Sequence, residues 1–216
     1  MRTLIRSLGE LCITAGAVLL LFVAYELWGT GAYTQAEQRK LDGELTRTWA
    51  APQRKPSGAV TAERVQLGHG LALIRIPRLG KGFHYVIIEG VSVADLRKGP
   101  GHYPGTAMPG EIGNFVVSGH RTTYLAPFNR IGELQAGDKI LIDTRTRQYT
   151  YKITGKTVVS PSDVSVVAPV PEHPTKDPTD RLITLTTCHP KYSAAQRLIV
   201  FGRMVGSIPR VNGASS

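Results

Sequence analysis

At 216 residues with 42% hydrophobic content, the chain has material for one ordinary hydrophobic core, so one domain is expected here rather than two. A formal charge of +10 admits nucleic acid, anionic lipid headgroups or acidic wall polymers as partners. The basic residues lie singly, with no Lys/Arg run interleaved with aromatics, and that argues against nucleic acid.

The first element is an apolar run, Leu11 to Trp28 (LCITAGAVLLLFVAYELW), broken by Thr14 and by the single charge of Glu26. Its length matches a bilayer's hydrocarbon core. Arg2 and Arg6 precede it, so the positive-inside tendency keeps residues 1–10 cytoplasmic and exports the chain beyond Trp28. Bulky residues from Tyr25 to Trp28 disfavour signal cleavage, and Gly29-Thr30-Gly31-Ala32 offers only a weak site; the run reads as an uncleaved signal anchor at residues 11–28. Trp28 and Tyr33 suit the outer interface.

Residues 29–66 read as an extracytoplasmic stalk and linker. A helix-compatible stretch at Gln35 to Trp49 leads into AAPQRKPSG, and the polar composition offers little for a core. From Leu67 the pattern changes to short runs rich in Val, Ile, Leu and Tyr, punctuated by Gly, Pro and Asp. The predicted strands are 71–76, 84–90, 114–120, 138–144, 148–160, 181–188 and 196–205, with short helices near 93–102 and 126–134. The Pro-rich stretch 168–178 reads as a surface loop. This predicts an all-β fold over residues 67–208, a closed barrel of about seven or eight strands. Residues 209–216 form a flexible tail.

Cys12 falls in the membrane run, which leaves Cys188 as the lone exported thiol, either reactive or a buried core residue. Cys188 ends LITLTTC and is followed by His189-Pro190, where proline stops the strand, so the thiol sits at a strand mouth. A nucleophilic thiol generally needs a base or cation nearby. His120 closes NFVVSGH, with Gly119 permitting tight local backbone geometry, and Arg197 opens QRLIVFGRMV just after the loop beyond Cys188. Imidazole exchanges protons with thiol and leaving amine, while guanidinium stabilises an oxyanion, so the three residues together make an acyl-transfer site. Adjacent strand residues face opposite ways and no second ligand pair completes a set, so His189 beside Cys188 does not suggest a metal. His84, His102 and His173 read as surface groups. Arg121 and Arg181 flank the site, either steering substrate or solvated. Thr187 either supports the thiolate or a bound peptide through its hydroxyl, or is simply a good β-former.

GNFVVSGHRTTYLAPF (113–128), TLTTCHP (184–190) and the arginine nine residues after the cysteine in RLIVFGRM (197–204) together resemble the sortase family, specifically the class E sortases of actinobacteria. The resemblance covers about Leu67 to Ser207. It implies a sortase β-barrel with Cys188 as nucleophile, His120 as general acid/base and Arg197 as the oxyanion or positioning arginine. It further implies cleavage of an LAXTG- or LPXTG-type signal between Thr and Gly through a thioacyl intermediate. Transfer then goes to the amine of a lipid-linked peptidoglycan precursor. GPGHYPGTAMPG (99–110) also fits the class E pattern, and Tyr103, with Thr187, is a candidate contact to the signal. The carboxylate cluster of the family's calcium-dependent members is not identifiable, so no metal and no cofactor is expected. The SxGCxR-like run of L,D-transpeptidases and the CGSC[WY] segment of papain-like proteases are absent. A non-catalytic, membrane-tethered barrel holding an anionic wall polymer is the alternative of a different class.

Overall fold

A computed structural model describes residues 2–25, 29–51 and 66–210, leaving Trp28, the linker at 52–65 and the tail at 211–216 outside the described residues. Two long helices come first, α1 (Arg2–Ala24) and α2 (Thr30–Ala50). The apolar window of α1 is Ile5–Ala24, 20 residues with mean hydropathy 2.0, six residues earlier than the expected start. The charges that would disfavour such a start offset each other, because Arg6 lies one helical turn before Glu10 and pairs with it at 3.0 Å.

Eight strands come next: β1 (Gly70–Arg75), β2 (His84–Glu89), β3 (Gly101–His102), β4 (Gly113–Ser118), β5 (Lys139–Asp143), β6 (Arg147–Val159), β7 (Arg181–His189) and β8 (Gln196–Pro209). They close in the order β1-β2-β3-β4-β7-β8-β6-β5, so no edge is left to pair with another chain. The seven expected strands are all present; β3, two residues long, is the addition. Of the two expected short helices, one is the single turn α3 (Val93–Leu96), started by a capping box between Ser92 and Asp95, and the other is a 3-10 turn at Ile131–Glu133.

Period-2 alternation fills the barrel. Phe115 and Val117 of β4, Ile183 and Leu185 of β7, and Leu198 and Val200 of β8 point inward, into one cluster with Ile74, Ile87, Ile142 and Tyr151. Phe128, Ile131 and Leu134, from the loop after β4, close the end of this core. The alternate residues Asn114, Val116, Ser118, Thr184, Thr186 and Cys188 therefore face outward.

The helix α2 departs from the stalk reading. Leu41, Leu45 and Trp49 form an apolar stripe buried against Leu73, Val86 and Ile88 on the outside of β1 and β2. Gln38 is fixed to the sheet as well, accepting from Val86 N at 2.7 Å and donating to the carbonyls of Val86 and Lys98. Three apolar residues at four-residue spacing suffice to seat the helix, so residues 30–50 are part of the folded body.

Candidate active site

The parallel pairing of β4 with β7 sets Ser118 level with Thr186, and the Gly119 amide continues it by donating to the Thr186 carbonyl at 3.1 Å. The buried Thr187 then donates its hydroxyl to the Gly119 carbonyl at 2.7 Å. The next residues are Cys188, one before the end of β7, and His120, two past the end of β4, at the same end of the sheet. On the other side of β7, Cys188 is the direct cross-strand partner of Arg197. Opposite residues of an antiparallel pair share a face with Cβ atoms about 5 Å apart. The three residues singled out in the sequence therefore meet at one rim of the barrel, on the outer face of β7 and β8.

Gly119 owes its place to a close approach. A Cβ there would lie 2.7 Å from the Phe128 ring, because the chain curls back after His120 and the Phe128 amide donates to the His120 carbonyl at 3.0 Å. The curl holds three successive non-glycine residues at positive φ: Tyr124 at 53°, Leu125 at 60° and Ala126 at 44°. Left-handed backbone costs such residues about 1–2 kcal/mol each. Buried Phe128 and the turn bond from the Ala126 amide to the Thr123 carbonyl at 2.8 Å hold it there. Tyr124 lies against the His120 ring with centroids 4.9 Å apart, and the Arg97 guanidinium sits 5.8 Å over Tyr124. Burial first, and the charge of Arg97 second, push the His120 imidazole below its ordinary pKa. Both causes favour the neutral imidazole, and its buried Nε2 has no hydrogen-bond partner among the described residues. A neutral imidazole can take the thiol's proton and return it to a leaving amine.

Arg197 is half-buried and its Nη1 donates to the carbonyls of Ala194 and Gln196, each at 3.0 Å. A guanidinium carries five N–H donors, so its other nitrogens remain to meet an oxyanion. The surprise is Arg121, which is only 9% exposed. Its Nη1 donates to the Cys188 carbonyl at 3.1 Å and to His189 Nδ1 at 3.2 Å. Burial pulls the Arg121 pKa down and its attraction to Cys188 works against that. Its own carbonyl accepts from Asn129, which in turn accepts from Lys191 at 2.9 Å, so the loops after β4 and β7 are laced together around it. The sequence sets Arg121 beside the site as a steering or a solvated residue; its burial against the Cys188 carbonyl is what the fold adds.

The remaining expectations divide. Thr187 is buried and committed to Gly119, so its hydroxyl organises the site from below. Tyr103 comes directly after β3, its amide donating to the Val116 carbonyl at 2.9 Å, which sets it four residues before His120 along β4 and away from the rim. Arg181 lies at the start of β7, eight residues of sequence before the thiol strand's last residue, and donates to the Gly110 carbonyl at 2.7 Å; it does not flank the site. His102 is the clear correction among the histidines. It is 1% exposed, bonded through Nδ1 to Glu89 at 2.7 Å and stacked on Phe115 at 5.0 Å, because β3, unseen in the sequence, turns it into the core.

Outward-facing Asn114 shapes the floor. It donates to the carbonyls of Val166 and Ala168 and accepts from Thr184 at 2.8 Å, so the loop between β6 and β7 is held over the lower part of this face. Above it only Ser118 and Cys188, at the rim, are half-buried on this face, while Val116, Thr184 and Thr186 are covered.

Residues 74–205 match the sortase domain family model. The chain belongs to the sortase family. Its likeness within that family is to class E. It is 38% identical over 216 residues to sortase SrtE1 of Streptomyces coelicolor, an alignment covering 96% of this chain and 59% of that protein, so it spans little more than half of that relative's length. The crystal structure of sortase E1 from Streptomyces coelicolor with a tripeptide in the active site is 42% identical, with a TM-score of 0.62, covering 69% of this chain and 97% of that one. The structure of sortase E from Streptomyces avermitilis is 39% identical with a TM-score of 0.61, covering 67% and 93%.

Proposed function

We propose that this sortase is a membrane-anchored cysteine transpeptidase that cleaves an LAXTG- or LPXTG-type signal between Thr and Gly and transfers the protein to an amine of a cell-wall precursor. In the first step His120 takes the Cys188 proton, and sulfur bonds to the threonine carbonyl carbon. The oxyanion is met by Arg197. The Thr–Gly C–N bond then breaks as the imidazolium gives its proton to the departing glycine amine, leaving a thioacyl enzyme. An acceptor amine attacks the same carbon, passes its proton to His120, and the C–S bond breaks to free the thiol. The signal would lie with its threonine at the rim between His120 and Arg197, with Tyr103 as a candidate contact further from the thiol.

The single observation that carries this reading is the cross-strand pairing of Cys188 with Arg197 at the rim where His120 also emerges. The bland alternative, a binding barrel, leaves a half-exposed thiol between two arginines and an unpartnered imidazole without purpose. The reading includes α1 as a single-pass anchor, with a cytoplasmic N-terminus, an extracytoplasmic barrel and a short tail.

The test is to incubate the full chain with fluorogenic LAXTG and LPXTG peptides and follow its intact mass, with Cys188→Ala as control. Cleavage at Thr–Gly with an acyl adduct lost in the variant is expected. No cleavage and no adduct from folded protein sinks the proposal.

A further inference from the structure

The course of α2 fixes which end of the barrel lies near the exit of α1. Thr30, in the first turn of α2, is buried. Beside it, Gly31 faces the Leu125 side chain, and Thr34 donates to the Arg97 carbonyl at 2.7 Å. Arg97 lies over Tyr124, and Tyr124 on His120. The first two turns of α2 are thus packed on the loop that presents the imidazole. At the other end of the helix, Trp49 stacks under Arg210 with 4.0 Å between guanidinium and ring, and the Ala51 carbonyl accepts from Arg145. Those partners lie just after the last strand and just before β6, at the far end of the barrel. A 21-residue helix is about 30 Å long, so α2 runs most of the body's length, starting at the site.

The last described residue after α1 is Tyr25, four residues before Gly29. Even a fully extended chain bridges at most about 14 Å over four residues. Whatever angle α1 makes with α2, the loop carrying His120 is therefore tethered near the end of α1, while the far end lies a helix length away.

The surface at the site end suits this position. Tyr192 is 86% exposed, Tyr33 47% and Leu125 38%. The loops after β4 and β7 add the exposed Lys191 and the half-buried Arg197, while Arg121 is buried and Arg130 is paired with Glu133 at 2.7 Å. Aromatic rings and long basic side chains over anionic headgroups are the composition that settles at a membrane interface. Exposed apolar residues alone would not choose an end, since Leu67, Ile112 and Ile208 stand out at the opposite one. The tether does.

We propose that the His120–Cys188 end of the barrel rests on the outer surface of the bilayer that α1 spans, with Tyr192, Leu125 and Tyr33 at the headgroup level. This rests on reading α1 as a membrane span. The site then faces along the lipid surface, and substrates that are themselves membrane-bound reach it by lateral diffusion.

The experiment uses the full chain, with Cys12→Ser and Cys188→Ala, in vesicles of phosphatidylcholine with a minority of phosphatidylglycerol. A nitroxide is attached at Tyr192→Cys or, as the opposite-end control, at Ile208→Cys; both side chains are exposed, so neither change disturbs the core. The ratio of relaxation by oxygen to relaxation by a water-soluble nickel chelate should be several-fold higher at 192 than at 208. Equal, water-like ratios at the two positions, or a higher ratio at 208, would overturn the proposal. Flotation of the same samples separates the two readings. Failure to float with the vesicles removes the anchor and this inference together, whereas flotation with a water-like ratio at 192 removes this inference alone.

Discussion

Thr187 and Gly119 are joined by a 2.7 Å bond from hydroxyl to carbonyl, which locks the residue before the thiol to the residue before the imidazole. Thr187→Val keeps the shape and removes the donor, leaving a buried carbonyl unsatisfied at a cost of about 1–3 kcal/mol. The expected result is a lower melting temperature and a fall in kcat larger than any change in KM, because geometry between Cys188 and His120 is what loosens. A variant that melts lower with kcat intact would show that the bond serves stability alone.

Arg197→Ala should lower kcat/KM by about 100-fold or more, the usual loss when an oxyanion donor is removed. Among the described residues the half-buried guanidinium bonds to its own loop at Ala194 and Gln196, so the melting temperature should hardly move. Peptide turnover and a thermal melt on the same preparation check both halves; near-normal turnover would take the oxyanion role away from Arg197.

For Arg121 the signs of the two effects differ. It is a buried cation whose Nε finds no partner among the described residues, and replacing such a group by an apolar one of similar length is often neutral or stabilising. Arg121→Met should therefore melt no lower than the parent while kcat falls by about tenfold, because the Cys188 carbonyl loses the donor that positions the strand end. Unchanged kcat would reduce Arg121 to a plug at the barrel's end.

The depressed pKa of His120 has a pH consequence. Above its unfolded value of about 6.5 the imidazole is neutral in both states and contributes nothing. As the pH falls below that, the unfolded chain takes the proton first, so stability declines until the pH has passed the lower folded value and then the deficit is constant. Imidazole C–H shifts followed by NMR should give a His120 midpoint below 6.5. Arg97→Gln should raise that midpoint only part of the way, burial being the larger cause. A midpoint at or above the ordinary value would contradict both.

Apolar runs and their punctuation explain why so much of the fold was legible from residues alone. Seven strands declare themselves as stretches rich in Val, Ile, Leu and Tyr bounded by Gly, Pro and Asp, and the strand ends at His120, Cys188 and Arg197 are punctuated by Gly119, Pro190 and the loop before Gln196. A two-residue strand such as Gly101–His102 cannot show a period, and with β3 unseen the burial of His102 is unseen too. Leu41, Leu45 and Trp49 did carry a helical signal, but three apolar residues in a polar stretch look like a stalk until Leu73, Val86 and Ile88 are known to face outward. Arg121 was marked as flanking the site, but its burial carried no signal, since only the fold brings the Cys188 carbonyl within reach.

The apolar patch beneath α2 limits how the protein can be shortened. A version begun at Gln66 would bare Leu73, Val86 and Ile88 on the outside of β1 and β2, a sticky strip with no cover of its own. Such a fragment should self-associate in size-exclusion chromatography, whereas one begun at Gly29 should run as a single species; α2 is in effect a shield that any shortened form must keep.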